Sequence, residues 1–294
     1  METPAFRRTS INPEARVGAL LLHGLTGIPK EMRPIGKKLE AAGVKVSAPM
    51  LPGHGAGYQE MLETTWQDWV EGAQKEFDLL AQECDRIVVA GLSMGAILAM
   101  IIASRNEKAA GLGLLSPTMK YDGNGASKYS VLLPLVDYFP FLGRWCYWTE
   151  QPPYGLKDPR LQKMITRQLE KASKGEGSDF GLFRTYAFSL RQLDRMVKYC
   201  RSAAPHVKCP TLVLHSLEDS LTSEANAIEV YRMIGSRDKR MVLISGCDHV
   251  LTLDLRKEDV ANHMLQLAID ASYYQPGKTD EKVTAYPKPI FSPT

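Results

Sequence analysis

Ser93 stands in Ala90-Gly91-Leu92-Ser93-Met94-Gly95-Ala96, after the β-branched run Ile87-Val88-Val89 and before the apolar stretch 97–104. The pattern is G-x-S-x-G, set between a strand-like and a helix-like segment. In that setting a sharp strained turn lifts a serine hydroxyl clear of a sheet edge. A hydroxyl is a weak nucleophile until a histidine removes its proton, and the histidine needs a carboxylate to hold its tautomer. The chemistry to look for is therefore acyl transfer, and the alternative is a plain strand-to-helix turn.

Six histidines are candidates for the base. His249, in Gly246-Cys247-Asp248-His249-Val250, follows the last apolar run and so falls on the same sheet edge as Ser93. His215, at a strand end, is its nearest competitor. His206 lies in a basic loop before a strand, and His263 lies inside a helical pattern. His23 and His54 sit in glycine loops and are expected to brace them. For the acid, Asp219 follows the run 209–216. Its neighbour Glu218 is not separable from it by pattern. Asp248 directly precedes His249, and adjacent residues of an extended loop point apart. A tetrahedral intermediate also needs preorganised donors for its oxyanion. One is expected from the Met94 backbone N–H, the other from Leu25 in Leu22-His23-Gly24-Leu25-Thr26-Gly27, the loop after the first long apolar run.

These residues must be positioned by the elements between them. Apolar runs of strand length at 17–24, 44–51, 86–91, 109–117, 209–216 and 239–246 alternate with helical patterns at 31–43, 64–84, 94–105, 223–235 and 256–271. Such alternation implies a mainly parallel sheet flanked by helices, an α/β fold. Right-handed crossovers bring all strand C-terminal ends to one edge, where such sheets bind ligands. Each motif above lies just after a strand. About ninety residues separate the strands ending at 117 and starting at 209, far beyond an ordinary connection. The first part of that insertion, 129–145, is rich in aromatic residues, leucine and proline, as a lid over an apolar pocket would be. The tail 276–294 is polar and Pro-rich and is expected to be poorly ordered.

The chain of 294 residues is 44% hydrophobic and 23% charged, the balance of a globular protein with a sizeable core. A net charge of +3 spread over mixed-sign segments gives no reason to expect a nucleic-acid partner. Five irregularly spaced cysteines without a C-x-x-C pair argue against a disulfide framework or a zinc site, and no H-E-x-x-H set is present, so no metal is expected. No apolar leader and no apolar run of spanning length are evident, so a cytoplasmic protein without a transmembrane segment is the expectation.

The motifs Leu-Leu-Leu-His-Gly-Leu-Thr-Gly, Pro-Met-Leu-Pro-Gly-His-Gly, Ala-Gly-Leu-Ser-Met-Gly-Ala, Leu-His-Ser-Leu-Glu-Asp-Ser and Gly-Cys-Asp-His-Val-Leu-Thr-Leu-Asp occur in this order between residues 17 and 254. The sequence thereby resembles α/β-hydrolase-fold carboxylesterases of the bacterial monoacylglycerol-lipase-like group. The resemblance implies Ser93, Asp219 and His249 as a catalytic triad, Leu25 and Met94 as oxyanion donors, and no cofactor. It implies a catalytic domain made of 1–117 and 205–275, with a cap over 118–204. The expected function is hydrolysis of a small-molecule carboxylic ester, a medium-chain acyl ester or a monoacylglycerol, through an acyl-enzyme. A thioesterase, an amidase or a C–C bond hydrolase would use the same groups, and a non-catalytic ligand-binding protein on the same fold is the rival from another class. The sequence departs from many relatives in carrying Ala96 where they have a further glycine, and in having only sixteen residues before the first long strand.

Overall fold

The computed structural model describes residues 10–55, 57–123, 139–173 and 184–275. The tail 276–294 and most of the aromatic stretch 129–145 lie outside the described residues. Six strands form one wholly parallel sheet: β1 (Val17–Leu22), β2 (Lys45–Ser47), β3 (Arg86–Leu92), β4 (Ala109–Leu115), β7 (Thr211–Ser216) and β8 (Lys239–Ile244), in the order β2-β1-β3-β4-β7-β8. All residues of β1, β4 and β7 are buried, because helices cover both faces of the sheet. β2 is shorter than the apolar run 44–51 suggests. Pro49 has no N–H to continue the ladder of this edge strand.

One face carries α3 (Trp66–Glu83), α4 (Met94–Arg105), α7 (Ala187–Ala203) and α8 (Glu224–Met233). Their side chains share a core that includes Trp69, Phe77, Ile97, Ile101, Met196 and Val230. The other face carries α1 (Arg33–Glu40) and α9 (Lys257–Ser272), packed through Ile35, Leu39, Met264 and Leu267. α4 is buried from Met94 to Ala103, since it lies between the sheet and the α3–α7 layer. That is why its sequence is apolar on every side instead of amphipathic. α3 starts at a capping box in which Thr65 and Asp68 satisfy each other's backbone N–H. The short α2 (Tyr58–Glu63) has no counterpart in the sequence reading.

Between β4 and β7 the described residues contain α5 (Pro140–Trp145), β5 (Tyr147–Thr149), α6 (Pro159–Ser173), β6 (Arg184–Tyr186) and α7. β5 and β6 form a small antiparallel pair. α7 closes the insertion and joins the main core through Leu193, Met196, Val197 and Cys200.

The chain passes from β1 outward to β2 and then returns to the other side of β1 as β3. Strand order reverses there, and crevices of open α/β sheets form at such a switch point. The register pairs Leu22 with Gly91, Leu92 with Leu115, Leu115 with Leu214 and Ser216 with Ile244. The strands therefore end in line, and the loops holding Leu25, Ser93, Asp219 and His249 rise from one edge.

Candidate active site

Ser93 occupies the turn between β3 and α4 with φ 57° and ψ −115°. A non-glycine residue at positive φ outside the left-handed helical well stores strain, which the surroundings must over-determine. Two glycines make that possible. A Cβ on Gly91 would lie 2.1 Å from the Gly95 carbonyl, and one on Gly95 would lie 2.2 Å from the Leu22 carbonyl oxygen. Both obstacles are backbone, so nothing can swing aside. Gly95→Ala is expected to lower stability by about 3 kcal/mol, the upper end of overpacking costs. Urea unfolding checks this, and an unchanged midpoint would contradict it. The elbow is also tied to β4, since the Ser93 N–H donates to the Leu115 carbonyl at 2.8 Å.

His249 and Asp219 meet. His249 Nδ1 lies 2.7 Å from Asp219 Oδ2, and both side chains are buried. Asp219 Oδ1 also accepts the Leu221 and Thr222 N–H groups at 2.9 and 2.8 Å, and Oδ2 accepts the Thr222 hydroxyl at 3.0 Å. Burial by itself would raise the Asp219 pKa, but the charge and hydrogen bond of His249 outweigh it and hold the carboxyl at about 2. Burial would likewise depress His249, yet the opposing charge and hydrogen bond of Asp219, with Asp248 and Glu31 nearby, raise it above the ordinary imidazole value. With Nδ1–H committed to a carboxylate, Nε2 is the nitrogen left to accept a proton.

The Ser93 hydroxyl shares a buried hydrogen bond with Thr118 Oγ1 at 2.9 Å. Among the described residues no hydrogen bond joins Ser93 to His249. Their loops are nevertheless anchored to consecutive residues. Leu115 accepts the Ser93 N–H, and the Ser116 hydroxyl donates to the His249 carbonyl at 2.8 Å. Ser116, wholly buried at φ 42°, was not singled out by the sequence reading. It follows a strand without a glycine-flanked pattern, so its only sequence signal is a small polar residue at a strand end.

Two further acids organise the histidine loop. Asp248 accepts the Ser220 N–H at 2.7 Å, the Ser220 hydroxyl at 3.0 Å and the His249 N–H at 2.7 Å. It thus links the loops after β7 and β8. Asp254 accepts the Asp248 N–H at 2.7 Å and the Lys157 and Asp158 N–H groups at 2.9 Å, so it ties the insertion to the same loop. Glu218, the alternative acid, instead accepts the Gly246 N–H and pairs with Lys157. His215 is buried 3.7 Å from Asp219 Oδ2, with Nε2 against the Thr222 carbonyl at 3.2 Å. His206 is exposed before β7, at the opposite edge, and His263 lies within α9.

The loop of residues 24–27 is tightly specified. The Leu51 N–H donates to His23 Nε2 at 3.2 Å, so His23 Nδ1 carries the proton and donates to the Gly24 carbonyl at 2.9 Å. Burial and the neighbouring His54 push the His23 pKa down to about 3, which keeps this tautomer neutral. His54 Nε2 lies 2.6 Å from the Leu25 carbonyl. Both histidines brace the loop, as their glycine setting suggests. Met94 is the first residue of α4, where N–H groups have no intrahelical partner. Among the described residues no hydrogen bond uses the Leu25 N–H.

Two carboxylates missed by the sequence reading flank this loop. Glu31 packs against Gly24 and Gly27 and accepts the Gly24 N–H at 3.4 Å. Crowding by protein raises its pKa to about 7. Glu150, from the insertion, accepts the Thr26 hydroxyl at 2.8 Å, and burial raises its pKa as well. Each is the only acidic residue of its own short segment, 24–39 and 139–157, and only folding brings the two to one loop. Among the described residues no cluster of His, Cys, Asp and Glu could hold a metal ion.

The parallel sheet, its switch point and the strained serine elbow make this molecule an α/β hydrolase by fold. The family model described as serine aminopeptidase, S33 matches residues 13–256, and the chain belongs to that Hydrolase_4 family. It is 28% identical over 255 residues to a thermostable monoacylglycerol lipase of Bacillus sp. (strain H-257), covering 85% of this chain and 89% of that protein. It is 22% identical over 240 residues to a carboxylesterase of Bacillus subtilis (strain 168), covering 81% and 87%. A soluble variant of monoglyceride lipase from Saccharomyces cerevisiae, solved with a substrate analog, superposes with a TM-score of 0.73 at 16% identity, covering 88% of both chains.

Proposed function

We propose that the protein is a serine hydrolase of carboxylic esters that works through an acyl-enzyme at Ser93. The observation that carries this reading is the buried His249–Asp219 pair, tied through Leu115 and Ser116 to the elbow that holds Ser93. In this reading the serine hydroxyl exchanges Thr118 for His249 Nε2 when substrate binds, as catalytic hydrogen bonds often form fully only in the bound complex. His249 then takes the Ser93 proton as the oxygen attacks the ester carbonyl, and Asp219 stabilises the imidazolium. The Leu25 and Met94 N–H groups receive the oxyanion. His249 returns the proton to the leaving alcohol, and water repeats the sequence on the acyl-enzyme. Similarity to a monoacylglycerol lipase and a carboxylesterase supports ester substrates.

The segments 1–117 and 205–275 supply the chemistry in this reading, and residues 118–204 act as the cap. The aromatic composition at its start favours an acyl chain longer than acetyl. Rates on p-nitrophenyl esters of rising chain length are expected to peak beyond acetate by about 10-fold or more, at ~0.8 kcal/mol for each buried methylene. A strict preference for acetate would contradict it. The five free thiols fit a reducing compartment such as the cytoplasm. Among the described residues no helix is long and apolar enough to cross a membrane.

A further inference from the structure

The loop 24–27 is held from two directions. His23 grips the Gly24 carbonyl, His54 grips the Leu25 carbonyl, and Glu31 accepts the Gly24 N–H. These three belong to the β1–β2 region and its loops. The fourth contact comes from about 120 residues further along the chain, where Glu150, just past β5, accepts the Thr26 hydroxyl at 2.8 Å. β5 pairs with β6, and β6 runs directly into α7, which is anchored in the main core. Glu150 therefore sits on a segment with a fixed footing.

The peptide that follows Gly24 carries the Leu25 N–H. The turn closes through the Gly27 N–H, which donates to the Gly24 carbonyl at 3.2 Å, and glycine at 24 and 27 leaves it free to choose other conformations. Side-chain anchors must remove that freedom. We propose that Glu150 is a positioning residue of the oxyanion hole, and that its hydrogen bond from Thr26 couples the seating of the insertion to the aim of the Leu25 N–H. The inference rests on the ester-hydrolase reading. Its role is through position, not charge. A carboxylate beside a developing oxyanion would oppose it, so a neutral acceptor in the same place should serve as well.

The test uses the full-length protein and one p-nitrophenyl ester. Glu150→Ala and Thr26→Val are each expected to lower kcat about 10-fold or more with KM changed less than twofold, because misaimed oxyanion donors act on the transition state. Glu150→Gln, which keeps an acceptor oxygen, is expected to stay within threefold of the wild type. The double variant Thr26→Val/Glu150→Ala should be no slower than the slower single variant, since both break one bond. Melting temperatures accompany each variant. Should Glu150→Ala fail to fold, Thr26→Val and Glu150→Gln carry the same comparison. Wild-type kcat in Thr26→Val or Glu150→Ala, a loss in KM alone, or a double effect equal to the product of the singles would each overturn the proposal. Turnover by the wild type and its loss in Ser93→Ala test the ester-hydrolase reading separately.

Discussion

Ser93→Ala is expected to lower ester hydrolysis by about a million-fold while leaving the melting temperature within a few degrees of the wild type. Removing the nucleophile of a serine triad costs about as much as removing the whole triad. The folded state loses little, because alanine removes one oxygen with the Thr118 hydroxyl and Tyr121 as neighbours, and the Thr118 hydroxyl also contacts the Ser116 carbonyl at 3.3 Å. The strain at φ 57° remains with alanine, and a serine hydroxyl does not relieve it. Initial rates on a p-nitrophenyl ester, with a thermal melt of the same sample, measure both halves. Retained turnover in a pure sample would refute the assignment.

Asp219→Asn is expected to lower kcat by about 10,000-fold and to move the acid limb of the pH profile. The magnitude follows from loss of the correct imidazole tautomer and of the charge that stabilises the imidazolium. The direction follows from the causes of the His249 shift. With Asp219 present the histidine titrates above 6.5, so the acid limb of kcat/KM, which reports the neutral base in the free enzyme, lies above 6.5. Without that charge, burial dominates and the limb moves down. Stability responds with the opposite sign. A proton held more tightly in the native state stabilises fully below the unfolded value of 6.5 and is lost as pH rises through the native value. Asp219 contributes above its unfolded value of 3.8 and is lost as pH falls through about 2. The wild type is therefore expected to gain activity over the interval above pH 6.5 in which His249 gives up its share of stability. A pH–rate profile of both proteins checks the shift. An unmoved limb would separate Asp219 from the histidine.

The sheet was legible because its strands are buried on both faces. Runs such as Val17–Leu22 and Ala109–Leu115 are continuously apolar for that reason, and the helix 94–105 was readable to the residue because a strained serine begins it. That an acid after β7 lies on the same edge as His249 was legible from their places after β7 and β8, but that Asp219 and not Glu218 meets the histidine was not. Periodicity does not report contacts made by loop side chains. Ser116 and Asp254 fix the histidine loop yet read in sequence as ordinary turn residues, and Asp248, weighed there only as a rival acid, gives no sign of joining the loops after β7 and β8. Glu31 and Glu150 were invisible for a similar reason. Their common loop is assembled by tertiary packing across more than a hundred residues of chain. The short β2 was misjudged because the apolar character of 44–51 continues past Pro49, where the ladder cannot.

The most direct measurement is the site of covalent attachment by a fluorophosphonate. Wild-type protein is expected to gain one adduct by intact mass, mapped to the peptide containing Ser93, and His249→Ala is expected to gain none on the same time scale. An adduct on another residue, or equal labelling of Ser93 with and without His249, would contradict a nucleophile activated by that histidine.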